Sequence, residues 1–363
     1  MTLLLEDTDI QKLDLMGAAI PAMEEAFREF QAGIAVNRPR LRYDCASSAP
    51  TGRYFANALA GAVPKYGMAA LRVDSGLRQP RTDGGAGRVG MAQPGARNWG
   101  LVLLFSLETA ALLAIMHDFT LSGVRVGATT AAAMKYLARH DSRRLGIIGT
   151  GKQARSHLLA LSMVKKLERV LVYSPNPQHR DEFCKEMVHQ THLWIEGKDD
   201  PRLVVEGSDI VVCATNGYSP VFRGKWLVKG QTVATIANSD VLGRRDEADE
   251  DTFVRADLIV INDKESVGSN NQRELLDPLE KGLIDWNKIR QLGEIVSGKT
   301  HGRTSPEQLI YYKNNTGMAI QFAAIGALAY RQAKENGLGR ELPSEWFGTD
   351  LLDWYRKGFF PSP

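Results

Sequence analysis

Short apolar runs alternate with helical stretches through the second half of the chain. Six of these runs have the length of a buried strand, and a further helical stretch follows Arg244. The runs occupy residues 145–149, 169–173, 192–195, 209–214, 232–236 and 257–261, and helical stretches occupy residues 152–166, 178–190 and 201–207. This alternation predicts an α/β fold with a Rossmann-type, doubly wound parallel sheet that binds its ligand at the carboxyl edge of the strands.

The first third of the chain follows a different pattern. Residues 9–32 repeat apolar side chains at three- and four-residue steps, which predicts an amphipathic helix, and β-like segments follow it. Residues 101–106 and 112–116 are apolar runs on either side of a short turn, which predicts a hairpin. Residues 78–100 are rich in glycine and arginine and lack apolar periodicity, so they predict a loop that is either mobile filler or a lid.

Composition narrows the class of protein. A net charge of +3 without a clustered basic stripe argues against nucleic-acid binding. No apolar segment approaches the roughly 18 residues that a membrane span needs, and the three cysteines are too widely spaced for a disulfide framework. We therefore expect a cytoplasmic protein. His189 and His192 have no cysteine or carboxylate cluster beside them, so they are expected at the surface and no metal is predicted.

A glycine-rich turn links the first strand of the alternating region to its helix. Gly149, Gly151 and Ala154 form the G-x-G-x-x-A fingerprint of dinucleotide binding. The first glycine allows the tight turn, the second lets backbone N–H groups approach a pyrophosphate, and the helix N-terminus attracts that anion. The residues expected to contact the cofactor are Thr129, Gly149, Thr150, Gly151, Gln153, Ala154, Ser174, Asn176, Arg180, Ala214, Thr215, Asn216 and Ile236.

The end of the second strand bears on cofactor choice. NAD-selective sites usually place an acid there for the ribose 2′-hydroxyl, but this chain has Ser174, with Asn176 and Arg180 after it. Without the acid, a 2′-phosphate meets no repulsion, and Arg180 offers it a partner. The pattern favours NADP(H) over NAD(H).

Three arginines are candidates for binding a substrate anion. Arg40 and Arg72 lie in strand-like segments, and Arg125 stands just ahead of an alanine-rich helix. Each has a purely structural interpretation as an exposed or packing residue. Alternatively, a guanidinium binds a carboxylate or phosphate through two parallel hydrogen bonds.

Taken in order, these motifs resemble those of the ornithine cyclodeaminase/mu-crystallin family over residues 10–335. The resemblance rests on Arg125 before the Thr/Ala-rich helix, the Gly149-x-Gly151 turn, Cys213-Ala-Thr, the segment Asp240-x-x-Gly-Arg-Arg-Asp-Glu, and residues 293–303.

This resemblance implies a homodimer of two-domain subunits. Residues 1–122 with 310–363 would form an α/β domain that binds substrate and dimerises, and residues 123–309 would form the dinucleotide domain. The implied reactions are cyclodeamination or imine reduction at the Cα–N bond of an amino or imino acid. By position, Arg40 and Arg125 would hold the substrate carboxylate, and Asp240 would bind or deprotonate the amine.

Two departures from the family pattern matter for function. Arg72 stands where the family commonly has a substrate-contacting lysine, and an arginine suits anchoring better than proton transfer. Gln321-Phe322 occupies the place of a frequent aspartate in the final helix. These changes motivate an alternative, a mu-crystallin-like protein that binds NAD(P)H with little or no catalysis. If the protein is an enzyme, the predicted catalytic residues are Asp240 and Arg72.

Overall fold

Two sheets organise the computed structural model, which describes residues 1–47, 53–78, 99–239 and 244–351. Within those residues each sheet has eight strands. The first contains β1 (Thr2–Leu5), β2 (Val36–Asn37), β3 (Leu41–Ala46), β4 (Arg53–Val63), β5 (Met68–Arg78), β6 (Trp99–Ser106), β7 (Leu112–His117) and β16 (Arg340–Leu342). The second contains β8 (Arg144–Ile148), β9 (Arg169–Tyr173), β10 (Trp194–Lys198), β11 (Ile210–Cys213), β12 (Thr232–Thr235), β13 (Leu258–Ile261), β14 (Ile289–Gln291) and β15 (Ile310–Lys313).

The second sheet is parallel, in the order β10-β9-β8-β11-β12-β15-β13-β14. Apart from the exposed Arg144 at the start of β8, every residue of β8, β11 and β12 is buried, as expected for strands covered by helices on both faces. The strand order reverses between β8 and β11, and in open α/β sheets the ligand crevice lies at such a point, outside the carboxyl ends of the strands. The predicted Rossmann-type fold class is therefore confirmed.

Helices cover both sheets and connect their strands. They are α1 (Asp7–Ile10), α2 (Met16–Gln31), α3 (Phe119–Leu137), α4 (Lys152–Val164), α5 (Pro177–Thr191), α6 (Pro201–Glu206), α7 (Glu250–Arg255), α8 (Glu265–Ser269), α9 (Arg273–Glu280), α10 (Leu292–Val296) and α11 (Ala319–Glu335). Among the described helices, none is both long enough and apolar enough to cross a membrane.

The first sheet is antiparallel except where β1 runs parallel to β7. Its inner face packs against α2 and α11 around a core that includes Phe27, Leu104 and Phe322. The long helix α11 therefore returns to the first sheet after the chain has completed the second, as the sequence predicted.

Several expectations need correction. The predicted helix over residues 9–32 is divided into α1 and α2, and Arg125 lies inside α3, because that helix already begins at Phe119. Helix α11 begins after Met318, and Asn315 does not cap it, because its side-chain oxygen accepts from the backbone N–H groups of Asn262 and Asp263.

The predicted domain division is also wrong for one segment. Residues 310–313 were assigned to the first domain, but β15 pairs with β12 and β13 in the second sheet, where both neighbours satisfy its backbone. The division at residue 122 stays a prediction. The catalytic prediction for Asp240 and most of the predicted 78–100 loop (residues 79–98) lie outside the described residues.

Candidate active site

The turn after β8 has the shape of a pyrophosphate cradle. Gly149 has a φ of 110°, and a Cβ there would stand 2.4 Å from the carbonyl oxygen of Ala214, so only glycine fits the turn. A Cβ on Gly151 would meet no described atom within 4 Å. Helix α4 begins at the next residue, Lys152. The turn thus leaves open space in front of a helix N-terminus, which fits a dinucleotide phosphate.

The other predicted cofactor residues gather along the same edge. Those that directly follow strand ends are Ser174 after β9, Ala214, Thr215 and Asn216 after β11, and Ile236 after β12. Two predictions differ in detail. The Ala154 side chain is fully buried and packs α4 onto the sheet. Thr129 is also buried; its hydroxyl donates to the Arg125 carbonyl at 2.7 Å and accepts from Gln321 at 2.8 Å. Thr129 therefore helps to position Gln321, and its predicted contact with the cofactor stays a prediction.

The residues considered for cofactor choice lie near the carboxyl ends of β9 and β10. Ser174 is buried after β9, and Asn176 caps α5 by accepting from the His179 N–H at 3.2 Å. Arg180 donates to the Lys198 carbonyl at 2.9 Å and pairs with Asp199 at 2.8 Å. Arg180 therefore stands at the ends of β9 and β10, where a ribose substituent would lie.

Arg125 is a partly buried cation. It donates to the Gln321 side-chain carbonyl at 2.9 Å, and its guanidinium lies 5.0 Å from the centre of the Phe322 ring. Its Nε has no hydrogen-bond partner among the described residues. Burial, and then repulsion from Arg72 and Arg40, lowers the pKa of Arg125 to about 9. Among the described residues no carboxylate pairs with this guanidinium, so it is able to bind an anion.

Gly317 and Gln321 make room for this arginine and hold it. A Cβ on Gly317 would stand 2.8 Å from Nη1 of Arg125. The Gln321 amide is fixed from both ends, because its oxygen also accepts from the Met318 N–H at 2.9 Å and its nitrogen donates to Thr129. Gln321 stands where the family frequently has an aspartate, and here it orients the Arg125 guanidinium.

Arg72 has carboxylate partners that the sequence did not indicate. Its Nε donates to Asp118 at 2.7 Å, and its Nη1 pairs with Asp74. Asp118 is buried, and Asn57 donates to Asp74 at 3.0 Å. Two carboxylates therefore fix the guanidinium of Arg72. Its predicted catalytic and substrate-binding roles remain predictions.

Arg40 lies close to Arg125 and borders a polar cavity of about 170 Å³. One of its nitrogens stands 3.5 Å from the Gly317 carbonyl oxygen. The cavity opens between the first sheet and the loops that follow β12 and β15. The three predicted substrate residues are Arg40, Arg72 and Arg125, here called the arginine cluster. They occupy one region, since Arg72 and Arg125 both lie over the Phe322 ring and Arg40 borders the cavity next to Gly317.

Glu247 holds the crevice edge together, although sequence reasoning gave it no role. Its buried carboxylate accepts from the backbone and hydroxyl of Thr215 at 2.7 and 2.8 Å, and from the N–H groups of Ile236 and Ala237 at 2.8 and 2.7 Å. Burial raises the pKa of Glu247, and these donors oppose the rise. The side chain ties the loop after β11 to the loop after β12.

Lys152 lies between the glycine turn and the arginine cluster. Its Nζ donates to the Phe119 carbonyl at 3.0 Å and lies 3.7 Å from the centre of the Phe119 ring. Burial lowers the pKa of Lys152 to about 8, against the attraction of Asp118. This amine can exchange a proton near neutral pH, which no arginine can do.

His157 couples α4 to α3 and is expected to make stability depend on pH. Its ring contacts the Gln153 carbonyl at 2.6 Å and the Thr130 hydroxyl at 2.9 Å, and burial lowers its pKa to about 4. The unfolded chain has a value near 6.5, so the folded state binds fewer protons between these values. Stability therefore rises from pH 4 to 6.5 and is complete above that.

We expect the His157→Gln variant to lose this dependence. At pH 5 the wild-type protein should be about 2 kcal/mol less stable than at pH 7 through this group alone. Urea unfolding at both pH values measures the difference, with the exposed His189→Gln as the matched control. An equal pH effect in wild type and His157→Gln would show that His157 is not the cause.

The chain is similar to characterised proteins along almost its whole length. The model of the ornithine cyclodeaminase/mu-crystallin family matches residues 1–337. Delta(1)-pyrroline-2-carboxylate reductase of Bacillus cereus is 30% identical over 244 residues, covering 67% of this chain and 74% of that protein.

Two solved structures share the fold. The Thermococcus litoralis delta(1)-pyrroline-2-carboxylate reductase, in complex with NADH and L-proline, is 31% identical with a TM-score of 0.82, covering 94% of this chain and 100% of that one. An archaeal alanine dehydrogenase dimer with bound NAD is 26% identical with a TM-score of 0.79, covering 94% and 99%.

Proposed function

The chain belongs to the ornithine cyclodeaminase/mu-crystallin family, and on that premise we propose that it reduces a small imino acid to the amino acid with a nicotinamide cofactor. The observation that supports this proposal best is the partly buried Arg125 beside a glycine turn that fits a dinucleotide. An iminium acid, NAD(P)H and one proton give the amino acid and NAD(P)⁺. The hydride goes to Cα and the proton to nitrogen. The bound nicotinamide supplies the hydride.

The chain's own residues hold the substrate for this step. Arg125 and Arg40 bind the α-carboxylate, and Gln321 with the Phe322 ring keeps the Arg125 guanidinium in place. Asp240, which lies outside the described residues, exchanges the proton with the substrate nitrogen. Arg72, fixed by Asp118 and Asp74, supplies positive charge beside the carboxylate. Orientation of Cα toward the nicotinamide provides much of the rate.

The cofactor is proposed to be NADP(H). The support is the absence of an acid directly after β9 and the position of Arg180, whose partner Asp199 is almost fully exposed and so exchangeable for a phosphate. Replacing Arg180 by alanine should therefore reduce the preference for NADPH over NADH.

A substrate panel tests the proposed function. NADPH and NADH oxidation is followed with pyrroline-2-carboxylate and with 2-oxo acids in the presence of ammonium. Ornithine is incubated with NADP⁺ or NAD⁺, and mass spectrometry detects proline. Imine reduction, faster with NADPH and less selective in Arg180→Ala, is the expected result. Tight NADPH binding without turnover of any compound would favour the alternative, a cofactor-binding protein without catalysis.

We also propose that the protein is a homodimer joined through the outer face of the first sheet. This face carries exposed apolar side chains: Leu41, Tyr43, Leu77, Trp99 and Leu101. Strand register places them together, because Tyr54 pairs with Leu77, Ser75 with Trp99 and Val73 with Leu101. A contiguous apolar patch of this kind is usually covered by another protein surface.

Introducing charge on the outer face should separate the subunits. In the variant Tyr43→Glu/Leu101→Glu, two carboxylates would have to be desolvated in the interface, which costs several kcal/mol. Light scattering after size-exclusion chromatography should give the monomer mass. Leu203→Glu, at an equally exposed leucine on α6, is the control. A dimer that persists in the double variant would place the interface elsewhere.

A further inference from the structure

Helices α3 and α4 run side by side in the same direction, so their N-termini lie at the same edge of the molecule. Gly123 of α3 faces Lys152 of α4, and one turn further along both helices Gly127 faces Ser156. A Cβ on Gly127 would stand 2.5 Å from Ser156 Oγ, so only glycine lets the helices approach this closely. The start of α3 therefore lies directly beside the glycine turn and the first residue of α4.

The two helix N-termini differ in how they are capped. In the first turn of α3 the Asp7 carboxylate accepts from the Thr120 N–H at 2.9 Å. Helix α4 begins after Gly151, and no described side chain caps its first N–H groups. Such an end carries roughly half a positive charge and attracts phosphate. Each phosphate of a dinucleotide carries one negative charge, so most of the charge of the diphosphate is left for side chains to balance.

The Lys152 side chain points from α4 toward α3. Its Cγ lies 3.6 Å from the position of a Cβ on Gly123, and its Nζ donates to the Phe119 carbonyl at 3.0 Å. On the other side of α4, Arg155 pairs with Glu186 of α5 at 2.6 Å. In Rossmann-type sheets the group that contacts the adenosine ribose follows the second strand, which here is β9, just before α5. Lys152 therefore points away from the adenosine half of the crevice.

The Lys152 ammonium has the charge and the donors that a phosphate needs. The charge of Arg155 is balanced by Glu186, whereas the described partners of Lys152 are the carbonyl oxygen and the ring of Phe119, which are both uncharged. An ammonium has three N–H donors, and the Phe119 carbonyl accepts one of them. A compact charge on a flexible stem is suited to binding phosphate oxygens.

We propose that the Lys152 ammonium binds the cofactor diphosphate at the phosphate on the nicotinamide side. It adds the positive charge that the N-terminus of α4 does not supply. This inference rests on the proposed function, because it concerns the cofactor of that reaction. It assigns a binding role to a residue outside the predicted set of cofactor contacts.

The proposed contact makes cofactor affinity depend on pH. Burial lowers the pKa of Lys152 to about 8. The titratable and charged groups packed around it come from α1, β5, β7 and α3, and they are Asp7, Arg72, His117, Asp118 and Arg125. A bound phosphate favours the charged amine, so the complex holds more protons than the free protein. Affinity is therefore complete below pH 8 and falls as the pH rises above it.

Nucleotide fragments test which part of the cofactor Lys152 contacts. Fluorescence titration gives the Kd of NADPH, and calorimetry gives the Kd of 2′-phospho-ADP-ribose, which lacks only nicotinamide, and of adenosine 2′,5′-bisphosphate, which lacks the second phosphate. Lys152→Met should raise the first two Kd values at least about tenfold and the third less than about twofold. Lys152→Arg, which keeps the charge, should stay within about threefold of the wild type. Lys185→Met, at an exposed lysine of α5, is the control. NADH, ADP-ribose and AMP form the parallel series.

The pH dependence provides a second readout that needs no turnover. The wild-type Kd for NADPH should be about fivefold higher at pH 9 than at pH 7, and Lys152→Met and Lys152→Arg should lose this difference. Weaker NADPH binding in Lys152→Met with unchanged binding of 2′-phospho-ADP-ribose would place Lys152 at the nicotinamide and overturn the inference. Equal losses for all three nucleotides, or no loss for any, would also overturn it and leave imine reduction intact. Failure of every nucleotide to bind the wild-type protein would reject the proposed function as well.

Discussion

Replacing Arg125 by methionine is expected to lower kcat/KM for the imino acid by about two to three orders of magnitude. The reason is that a guanidinium that is largely shielded from water and faces a substrate carboxylate contributes about 2–5 kcal/mol when that carboxylate would otherwise be left unpaired. NADPH binding should change little, because the glycine cradle at Gly149 and Gly151 lies on another part of the sheet edge. Initial rates and NADPH fluorescence titration measure the two quantities.

The stability of this variant distinguishes a functional arginine from a structural one. Burial and two neighbouring arginines disfavour the charged form of Arg125 in the folded protein, which lowers its pKa to about 9. The charge therefore costs stability at neutral pH, and Arg125→Met should keep or raise the Tm. Arg125→Lys should recover only part of the activity, since an ammonium does not form the two parallel bonds of a guanidinium. Activity above half the wild-type value in Arg125→Met would remove this residue from the substrate site.

The second large effect is expected at Gly151. Valine at this position should raise the Kd for NADPH at least about 100-fold while leaving the Tm within a few degrees. The backbone of Gly151 is extended, with a φ of −82°, and a side chain there meets no described atom. Its methyl groups would instead fill the space in front of α4, which the pyrophosphate needs.

Gly149→Ala is the matched comparison. That residue has a φ of 110°, and the added Cβ would stand 2.4 Å from the Ala214 carbonyl oxygen. It should therefore lower the Tm as well as weaken cofactor binding. Unchanged NADPH affinity in Gly151→Val would mean that the dinucleotide binds elsewhere.

The sequence predicted the parts of the fold that depend on local pattern. Apolar runs separated by helices identified six strands of the second sheet, and the Gly149–Gly151 turn was located correctly. Strand β15 was missed because its buried side chains carry polar ends. Their partners are distant in sequence: Tyr311 contacts Thr235 at 2.6 Å, Tyr312 donates to Asn262 at 2.6 Å, and Lys313 pairs with Glu274 at 3.1 Å. Periodicity cannot reveal such partners.

In the candidate site, too, local sequence predicted the residues but not their tertiary contacts. Arg40, Arg72 and Arg125 were identified by residue type, but their surroundings come from tertiary contacts. Asp118 lies 46 residues from Arg72, and Gly317 makes room for Arg125 across the fold. Neither contact leaves a local pattern.

Isotope transfer tests the central claim most directly. The protein is incubated with an imino acid, formed from a 2-oxo acid and ammonium, and with NADPH deuterated at C4 on each face in turn. Hydride transfer to Cα predicts that one of the two labelled forms gives an amino acid one mass unit heavier, with the deuterium at Cα. Formation of the amino acid without deuterium from either form, or of no amino acid with any acid in the panel, would contradict the account.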